Sequence, residues 1–418
     1  MKLYKNKLLF IFIFIIFLHS CNKQSGLPPE IETETEITIA MVTTFPPETT
    51  TPIETTTVPP ETTTTTTVET TTPPPETTTT TVETTTRPPE TTTTRPPEMI
   101  TTTAAPVTTI ITNAAVPSTT IPLAAPVKPK LDEDAIFKGK TITGLKMPEA
   151  PGKSVATKGV GSIDYSNASE GYVMVKYDGK TSNTIALIIV APTGNQYNIL
   201  GLQESIYIPF TLSEGNGTYQ IALGERLANG KFTTIVSAKF EAKFANDTVA
   251  FTYPNFYANY NGDSKSSKLA AHLVKDIKED LKKIEAIYNY VITTYTYDYD
   301  LAAKTKNMLY YVPNLDDIIS SKKGICFGYA SLMVSMLRSV GIPAKHIHGY
   351  APDGKGGEWY HAWINTFTKE TGWVNAIIQF DGKNWRLMDP TYASTTNSSA
   401  EGYKIIGDGS KYKNAYTY

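Results

Sequence analysis

The sequence predicts an α+β protein in which a long unstructured segment precedes two folded units. Residues from about 22 to 129 are mostly Thr, Pro and Glu, and such a segment cannot bury enough apolar surface to offset its ordering entropy. Residues from about 131 to 245 contain short alternating runs typical of β-strands, and residues after 265 combine helical and strand patterns. Helices that pack on an antiparallel sheet define the α+β class.

The first twenty residues predict a signal peptide. Lysines near the N-terminus precede an apolar run that ends at Leu18, which is shorter than the roughly 20 residues of a membrane-spanning helix. The sequence Leu-His-Ser-Cys at 18–21 resembles a bacterial lipoprotein box. This resemblance implies cleavage before Cys21 and lipidation of its sulfur. The alternative is an ordinary secretory signal in which Cys21 is incidental.

The segment 21–130 is predicted to be a disordered linker that acts as a stalk. Frequent prolines favour an extended polyproline II conformation, so roughly 108 residues at about 3.1 Å each reach at most about 330 Å. With Cys21 lipidated, the folded units would stand at the extracellular face of a bacterial cell membrane, exposed at the cell wall or surface. We expect the stalk to be a neutral spacer that binds no partner in a sequence-specific way.

Residues 131–245 predict a small immunoglobulin-like β-sandwich. Turn sequences such as Asp178-Gly179 and Asn229-Gly230 separate its short alternating or apolar runs. These runs cover 171–177, 184–190, 205–211, 219–223 and 232–240. The exposed tyrosines of such a unit are suited to binding glycan or protein, and a passive spacer is an equally good interpretation.

The last unit, residues 246–418, is predicted to begin with a long helix from Lys265 to about Thr294, whose apolar residues recur at helical spacing. A second helix should follow Cys326 and stop at 341–343, where the sequence is Gly-Ile-Pro. Cys326 then lies at a helix N-terminus, where N–H groups and the helix dipole stabilise a thiolate or an oxyanion.

Cys326 has no partner for an intramolecular disulfide if Cys21 is lipidated, because the chain has two cysteines. Unpaired cysteines are among the most buried residues, so a small hydrophobic core residue is the alternative to a nucleophile. A free thiol in an exported protein is nevertheless unusual. A position at a helix N-terminus benefits a nucleophile and gives a core residue little, so we favour the nucleophile.

An imidazole and a carboxylate follow the thiol along the chain. His361 lies in a strand-like run at 360–365, and Asp389 ends a second run that starts at Trp385. We expect the two runs to be adjacent strands, which would place the imidazole beside the carboxylate. A thiol, an imidazole and a carboxylate are the groups that thiol-based acyl transfer needs.

Four short segments in residues 265–400 resemble the transglutaminase-like superfamily of papain-like thiol enzymes. They are Gly-x-Cys-x-x-Tyr-Ala at 324–330, Arg-Ser-Val-Gly-Ile-Pro-Ala at 338–344, Tyr-His-Ala-Trp at 360–363 and Met-Asp-Pro-Thr at 388–391. The resemblance implies a papain-like core in which helices pack on an antiparallel sheet. It also implies that Cys326 is the nucleophile, His361 the general base and acid, and Asp389 the orienting carboxylate.

The resemblance implies a cysteine enzyme that acts on amide or isopeptide bonds of proteins or cell-wall peptides. Hydrolysis, as by a peptidase or amidase, and protein-glutamine acyl transfer both stay open. The non-enzyme alternative is a surface adhesion or scaffolding protein with a vestigial thiol domain. We expect a monomer without a cofactor or metal, whose partners are a peptide substrate and, through the lipid anchor, the membrane.

Nucleic acid and nucleotide are not expected partners. The formal net charge is -2, and the sequence has no basic stripe and no glycine-rich phosphate loop. His346 and His348 should share one face of a strand, but no third ligand has matching spacing, so a metal site is not favoured.

Overall fold

The structure is a computed structural model that describes residues 128–374, 377–380, 385–395, 405 and 409–418. Cys21, the predicted signal peptide and nearly all of the predicted stalk lie outside these residues. The described helices are α1 (Glu133–Phe137), α2 (Lys265–Val274), α3 (Asp280–Thr294), α4 (Tyr299–Thr305), α5 (Leu315–Ser321), α6 (Cys326–Ser339) and α7 (Pro390–Thr395). The described strands are β1 (Val155–Lys158), β2 (Gly161–Asp164), β3 (Tyr172–Tyr177), β4 (Thr184–Val190), β5 (Gln196–Leu200), β6 (Ile208–Thr211), β7 (Gly217–Arg226), β8 (Phe232–Ala242), β9 (Thr296–Tyr297), β10 (Lys323–Gly324), β11 (Ala344–Pro352), β12 (Glu358–Thr368), β13 (Gly372–Val374), β14 (Ile377–Phe380), β15 (Trp385–Met388) and β16 (Lys413–Thr417).

Strands β1 to β8 form two antiparallel sheets of four strands each, in the orders β1-β2-β3-β6 and β5-β4-β7-β8. The period-2 alternation that predicted these strands is visible in β7, where Tyr219, Ile221 and Leu223 are buried while Thr218 and Gln220 are exposed. Buried residues of both sheets join in one apolar core, which is the arrangement of a sandwich. Each of the five runs predicted from the sequence overlaps one of these strands.

Strands β1, β2 and β5 were not predicted from the sequence. Three of the four residues of β1 are exposed, so the strand has no apolar face to recognise. All of β2 is buried, yet Ile163 is its one large apolar residue, beside a glycine, a serine and an aspartate. Strand β5 has no apolar alternation, since Asn198 is buried with its neighbours. The apolar periodicity of the sequence gives no signal for these three strands. They form because they pair with neighbouring strands in the folded protein.

The single helix predicted from Lys265 to Thr294 is wrong, because the structure has two helices, α2 and α3, separated at residues 275–279. The predicted apolar stripe advances by four residues at Leu269, Leu273, Ile277 and Leu281. Four residues turn an α-helix by about 400°, so such a stripe drifts by about 40° at each step. The non-helical segment 275–279 lets both helices turn their apolar faces toward the same core.

Helix α6 is the centre of the second unit, since every one of its fourteen residues is buried. It packs against α2 and α3 on one side and against β11 and β12 on the other. The helix ends where the sequence predicted. Gly341 has a left-handed φ of 83°, and the Ile342 N–H donates to the Leu337 carbonyl at 3.0 Å, which closes the last turn.

Strands β13, β12, β11 and β16 form an antiparallel sheet in that order behind α6, and this packing confirms the predicted α+β class. The expectation that the strands before Asp389 and around His361 are adjacent is wrong. Strand β15 pairs with β14, while β12 pairs with β11 and β13. Asp389 follows the end of β15, so the chain leaves the β14-β15 hairpin before the carboxylate turns toward the imidazole.

Residues 131–142 pack on the helical unit. Glu133 accepts a hydrogen bond from the Tyr290 hydroxyl at 2.8 Å and forms an ion pair with Lys322. Leu131 packs against the apolar core of the helices, and the Ile142 N–H donates to the Gly262 carbonyl at 2.9 Å. The chain that follows the predicted stalk is therefore fixed close to the loop that precedes α6.

Candidate active site

Cys326 is the first residue of α6. Ile325 precedes it in an extended conformation, with φ -96° and ψ 178°, and provides no side-chain cap. The N–H groups of the first turn therefore keep their capacity to bind an anion at the thiol. Gly324 pairs in parallel with Tyr297, and the Asp298 N–H donates to the Gly324 carbonyl at 3.0 Å, which fixes the turn before the thiol. Cys326 is 8% exposed, so little of the residue is open to solvent.

His361 is buried in the middle of β12, opposite Gly349 of β11. Its imidazole lies between two indoles of the same strand face. The ring centroids are 5.6 Å apart for Trp359 and 6.2 Å apart for Trp363, and both pairs are nearly parallel, at 9° and 17°. Residues two positions apart on a strand share a face, so the Trp-x-His-x-Trp spacing itself fixes the plane of the imidazole.

Asp389 connects the imidazole to a helix start. Its Oδ2 accepts a hydrogen bond from His361 Nε2 at 2.7 Å and another from the Tyr412 hydroxyl at 3.1 Å. Its Oδ1 accepts from the Thr391 N–H at 2.9 Å, and its carbonyl accepts from the Ala393 N–H. Asp389 is thus the N-cap of α7, with Pro390 in the first helical position. The cap fixes the position of the carboxylate, and the side chains of Asp389 and His361 are fully buried.

The electrostatics favour a protonated imidazole. Burial lowers the pKa of His361, but the Asp389 carboxylate and then Cys326 outweigh burial and raise the pKa from 6.5 to about 10. Since Nε2 is bonded to Asp389, Nδ1 is the nitrogen left for the thiol. Among the described residues, Nδ1 has no other partner within hydrogen-bond distance, and Cys326 is near enough to raise the pKa of the ring. The arrangement therefore suits proton exchange between the thiol and Nδ1.

Four phenols lie within electrostatic reach of the thiol, and the sequence had not assigned them to the site. Burial raises the pKa of each, and Cys326 raises it further; they are Tyr297, Tyr311, Tyr360 and Tyr392. Tyr392 donates its hydroxyl proton to the Pro352 carbonyl and accepts from the Trp359 indole at 2.7 Å. Within the described part of the chain, the Tyr297 hydroxyl makes no hydrogen bond. Tyr360 begins the Tyr-His-Ala-Trp motif, whereas Tyr297, Tyr311 and Tyr392 lie outside the four motifs that carry the family resemblance.

Both histidines of the predicted pair on β11 lie on one strand face, as expected. Their rings are 4.7 Å apart, and His346 Nε2 is 3.1 Å from the Ser331 hydroxyl. Burial lowers the pKa of His346 to about 3 and that of His348 well below 6.5, so both are neutral. In the part of the chain that the structure describes, no group of three His, Cys, Asp or Glu residues is arranged to hold a metal ion.

The β-sandwich contributes a wall next to the site. A narrow pocket of about 20 Å³, room for roughly one water molecule, lies behind Phe327 and is lined by Leu200, Tyr257, Tyr310, Tyr311, Phe327, His348 and Tyr360. Leu200 belongs to β5 of the sandwich. Tyr310 packs on the next residue, Gly201, so closely that a Cβ there would lie 2.1 Å from the ring. The loop before α5 is therefore fixed between the sandwich and the thiol.

Comparison with known proteins supports the resemblance seen in the motifs. Residues 267–377 match the family model of the transglutaminase-like superfamily, so the chain contains a transglutaminase-like domain, as predicted. Cys326 and His361 lie inside the matched range, and Asp389 lies twelve residues beyond its end. Within the described residues, no helix has the length and apolar character needed to cross a membrane.

The individual relatives are distant. The chain is 31% identical over 120 residues to the uncharacterized protein YebA of Bacillus subtilis, an alignment that covers 25% of this chain and 16% of YebA. It is 28% identical over 135 residues to the kyphoscoliosis peptidase of Mus musculus, covering 31% of this chain and 18% of the peptidase. The chain thus spans less than a quarter of the length of these relatives. A crystal structure of red sea bream transglutaminase aligns with 12% identity and a TM-score of 0.25, covering 54% of this chain and 48% of that one.

Proposed function

We propose that this protein is a cysteine enzyme that transfers acyl groups from amide or isopeptide bonds of proteins or cell-wall peptides. The observation that carries the proposal is the buried hydrogen bond of 2.7 Å between His361 and Asp389, next to a thiol at the start of α6. Cys326 is among the groups that raise the pKa of His361. A cysteine with a purely structural role would not need an imidazole in electrostatic contact with it.

In the proposed reaction, the Cys326 thiolate attacks the carbonyl carbon of the substrate amide and forms a C–S bond. His361 carries the thiol proton on Nδ1 and delivers it to the leaving amine as the C–N bond breaks. Asp389 keeps the proton on Nε2 and stabilises the imidazolium, as the carboxylate does in serine triads. Water or an amine then takes the acyl group from sulfur, which distinguishes a hydrolase from a transferase.

We assign the side-chain oxyanion donor to Tyr297. Its backbone pairs with Gly324, two residues before the nucleophile, and Cys326 is among the groups that raise the pKa of its phenol. Burial is the largest cause of the raised pKa, so the phenol keeps its proton and remains a hydrogen-bond donor at every working pH. Together with the positive end of the α6 dipole, it would stabilise the tetrahedral intermediate. Tyr297→Phe should lower kcat by about 10²-fold and leave KM nearly unchanged.

Thiol reactivity is the first test, because it requires no known substrate. With His361 protonated, alkylation of Cys326 by iodoacetamide should stay fast at pH 6, whereas an ordinary thiol slows by about tenfold for each pH unit below 8.5. His361→Ala should restore that steep dependence, and His272→Ala, on the outer part of α2, should not. A wild-type profile like that of an ordinary thiol would contradict the proposal and favour a scaffold with a vestigial site.

A second measurement distinguishes the two reactions that the site allows. The protein is incubated with wall peptides or protein amides in the presence of an added primary amine, and the products are weighed by mass spectrometry. A free carboxylate identifies a hydrolase, and incorporation of the amine identifies a transferase. Neither product should form with Cys326→Ala.

We further propose that the enzyme works at the outer face of a bacterial membrane. Support comes from the sequence of the first 21 residues, with its basic start, apolar run and Leu-His-Ser-Cys ending. Lipid on Cys21 would anchor the chain, and the Thr, Pro and Glu-rich stalk would let the site reach peptides of the cell wall.

A further inference from the structure

Tyr412 lies outside the four motifs and outside the matched range of the family model, yet its side chain reaches the proposed triad. Its hydroxyl donates to Asp389 Oδ2 at 3.1 Å, and the same oxygen accepts from His361 Nε2 at 2.7 Å. A carboxylate oxygen has two lone pairs, so Oδ2 divides its charge between the phenol and the imidazole. The strength of one hydrogen bond therefore depends on the other.

Strand β16 brings the phenol to the triad. One residue of β16 is left unpaired where its register on β11 shifts between His348 and Gly349, and such a bulge bends a strand. Gly349 lies opposite His361, and a Cβ on this glycine would lie 2.1 Å from the Lys413 carbonyl oxygen. The glycine thus lets β16 approach β11 closely at the level of the imidazole. Lys413 is the residue that follows Tyr412.

The Tyr412 ring packs on an indole that also contacts the imidazole. Tyr412 meets Trp363 edge-on, with ring centroids 5.0 Å apart and ring planes at 78°. Trp363 is buried and stacks nearly parallel on His361 at 6.2 Å. One indole therefore fixes both rings that bind Oδ2. This ring packing does not involve the Tyr412 hydroxyl, so a phenylalanine at position 412 can keep it.

The orientation of the carboxylate does not depend on Tyr412. Oδ1 of Asp389 accepts from the Thr391 N–H at 2.9 Å and from the Tyr392 N–H at 3.4 Å, and these bonds fix the carboxylate at the start of α7. The Tyr392 hydroxyl donates its proton to a backbone carbonyl. Among the described residues, His361 and Tyr412 are the side chains that donate to Oδ2. What the Tyr412 hydroxyl changes is the charge on that oxygen.

The Tyr412 hydroxyl keeps its proton at every working pH. Burial is the largest cause that raises its pKa, and the Asp389 charge raises the pKa further. The imidazole faces Asp389 from β12, and Cys326 faces the imidazole from the start of α6. The pKa of His361, at about 10, already lies above the pH at which a general acid works best. A donor that makes Oδ2 less basic therefore makes the imidazolium a better acid.

We infer that Tyr412 is a positioning residue that acts on the triad through Asp389. Its hydroxyl takes up part of the charge on Oδ2, so that the His361 imidazolium releases its Nδ1 proton more readily to the leaving amine. This role rests on the proposed function, because the proton is delivered only in a working triad. The hydrogen bonds behind it can be measured without a substrate.

Nuclear magnetic resonance and kinetics of Tyr412→Phe in the full-length protein test the inference. With one donor fewer on Oδ2, the bond to His361 Nε2 should strengthen, so the Nε2 proton should move downfield; its signal is identified by its absence from His361→Ala. Turnover should fall by up to about tenfold with KM unchanged, while alkylation of Cys326 at pH 6 stays fast. A displaced carboxylate would slow alkylation as well, so this combination distinguishes an effect on charge from a structural effect.

Tyr177→Phe is the matched control, because Tyr177 donates its hydroxyl to the Glu225 carboxylate at 2.7 Å within the sandwich. This variant should change neither the Nε2 proton signal nor turnover. A fluorinated tyrosine at position 412 keeps the hydroxyl and makes it a stronger donor, so the Nε2 proton should move upfield. This protein provides the test even if Tyr412→Phe does not fold.

An Nε2 proton that stays in place with both replacements of Tyr412 would overturn the inference. Alkylation at pH 6 that becomes as slow in Tyr412→Phe as in His361→Ala would also overturn it, because the hydroxyl would then be needed to keep the triad in place. Absence of turnover in wild type would instead contradict the proposed function. The proton shifts decide in either case whether Tyr412 acts on Oδ2.

Discussion

The Asp389→Asn substitution separates the electrostatic role of the carboxylate from its structural role. Asp389 caps α7 through Oδ1 and binds His361 and Tyr412 through Oδ2. Asparagine has the same shape and is an equally good N-cap, so α7 and the fold should persist. The variant loses the negative charge next to the imidazole and also one acceptor oxygen. With the amide oxygen at the cap, its NH2 group faces Tyr412 and His361 Nε2, which favours the wrong tautomer of the imidazole.

The size of the effect follows from the pKa of His361. A rise from 6.5 to about 10 corresponds to roughly 5 kcal/mol in favour of the imidazolium, at about 1.4 kcal/mol per pKa unit. Asp389 and Cys326 share this stabilisation, and the carboxylate has the larger share. Loss of half or more of it lowers turnover by about 10² to 10⁴-fold, which includes the value of about 10⁴ known for serine triads.

The pH dependence of stability has a definite sign. Because the pKa of His361 is higher in the folded state, its contribution to the free energy of unfolding is complete below pH 6.5 and is lost as pH rises through about 10. Wild type should therefore lose more stability than Asp389→Asn between pH 7 and 10.

The assay combines three measurements on purified protein: alkylation of Cys326 at pH 6, turnover of an amide substrate, and thermal melting. The matched control is Asp353→Asn, since Asp353 also accepts backbone N–H bonds, from Lys355 and Gly357, but contacts no imidazole. We expect slow alkylation and slow turnover in a variant that stays folded, with a melting temperature below that of wild type at pH 7 and closer to it at pH 10. Unchanged turnover in a folded Asp389→Asn variant would refute the assignment.

Three further predictions concern the anchor, the buried histidines and the sheet. Cys21→Ser should abolish fatty acylation and remove the protein from the membrane fraction, because two or more acyl chains give stable anchoring where one does not. Full-length wild-type protein in the medium, without fatty acid on Cys21, would show that the signal is an ordinary secretory one. Because the pKa of His346 in the folded state is lowered to about 3, the free energy of unfolding should fall as pH drops below 6.5, by up to about 1.4 kcal/mol per pH unit. Urea unfolding between pH 7 and 4 should show a shallower loss of stability for His346→Gln than for wild type. An identical slope for the two proteins would contradict this prediction. Gly349→Ala should lower the melting temperature, because its Cβ would lie 2.1 Å from the Lys413 carbonyl oxygen, whereas Gly324→Ala meets nothing closer than 3.6 Å and should melt near wild type.

The sequence by itself predicted the α+β class, the start and end of α6 and the strand that carries His361. These features depend on local signals: apolar periodicity, a glycine-proline stop and period-2 alternation. The three proposed catalytic residues were recognisable for a similar reason. Each lies in a short motif, and the order of the motifs along the chain resembles one family.

The tertiary structure decided which elements meet. The predicted long helix is two helices, α2 and α3. Strand β15 pairs with β14, and Glu133 fixes the chain before the sandwich beside the loop that precedes α6. Tyr297 and Tyr412 join the site from distant parts of the chain, and no local pattern marks either residue. The physical reason is that periodicity reports only which face of an element is buried. The choice of partner for that face depends on packing among all elements together, and hydrogen bonds such as Tyr412 to Asp389 form only after that choice is made.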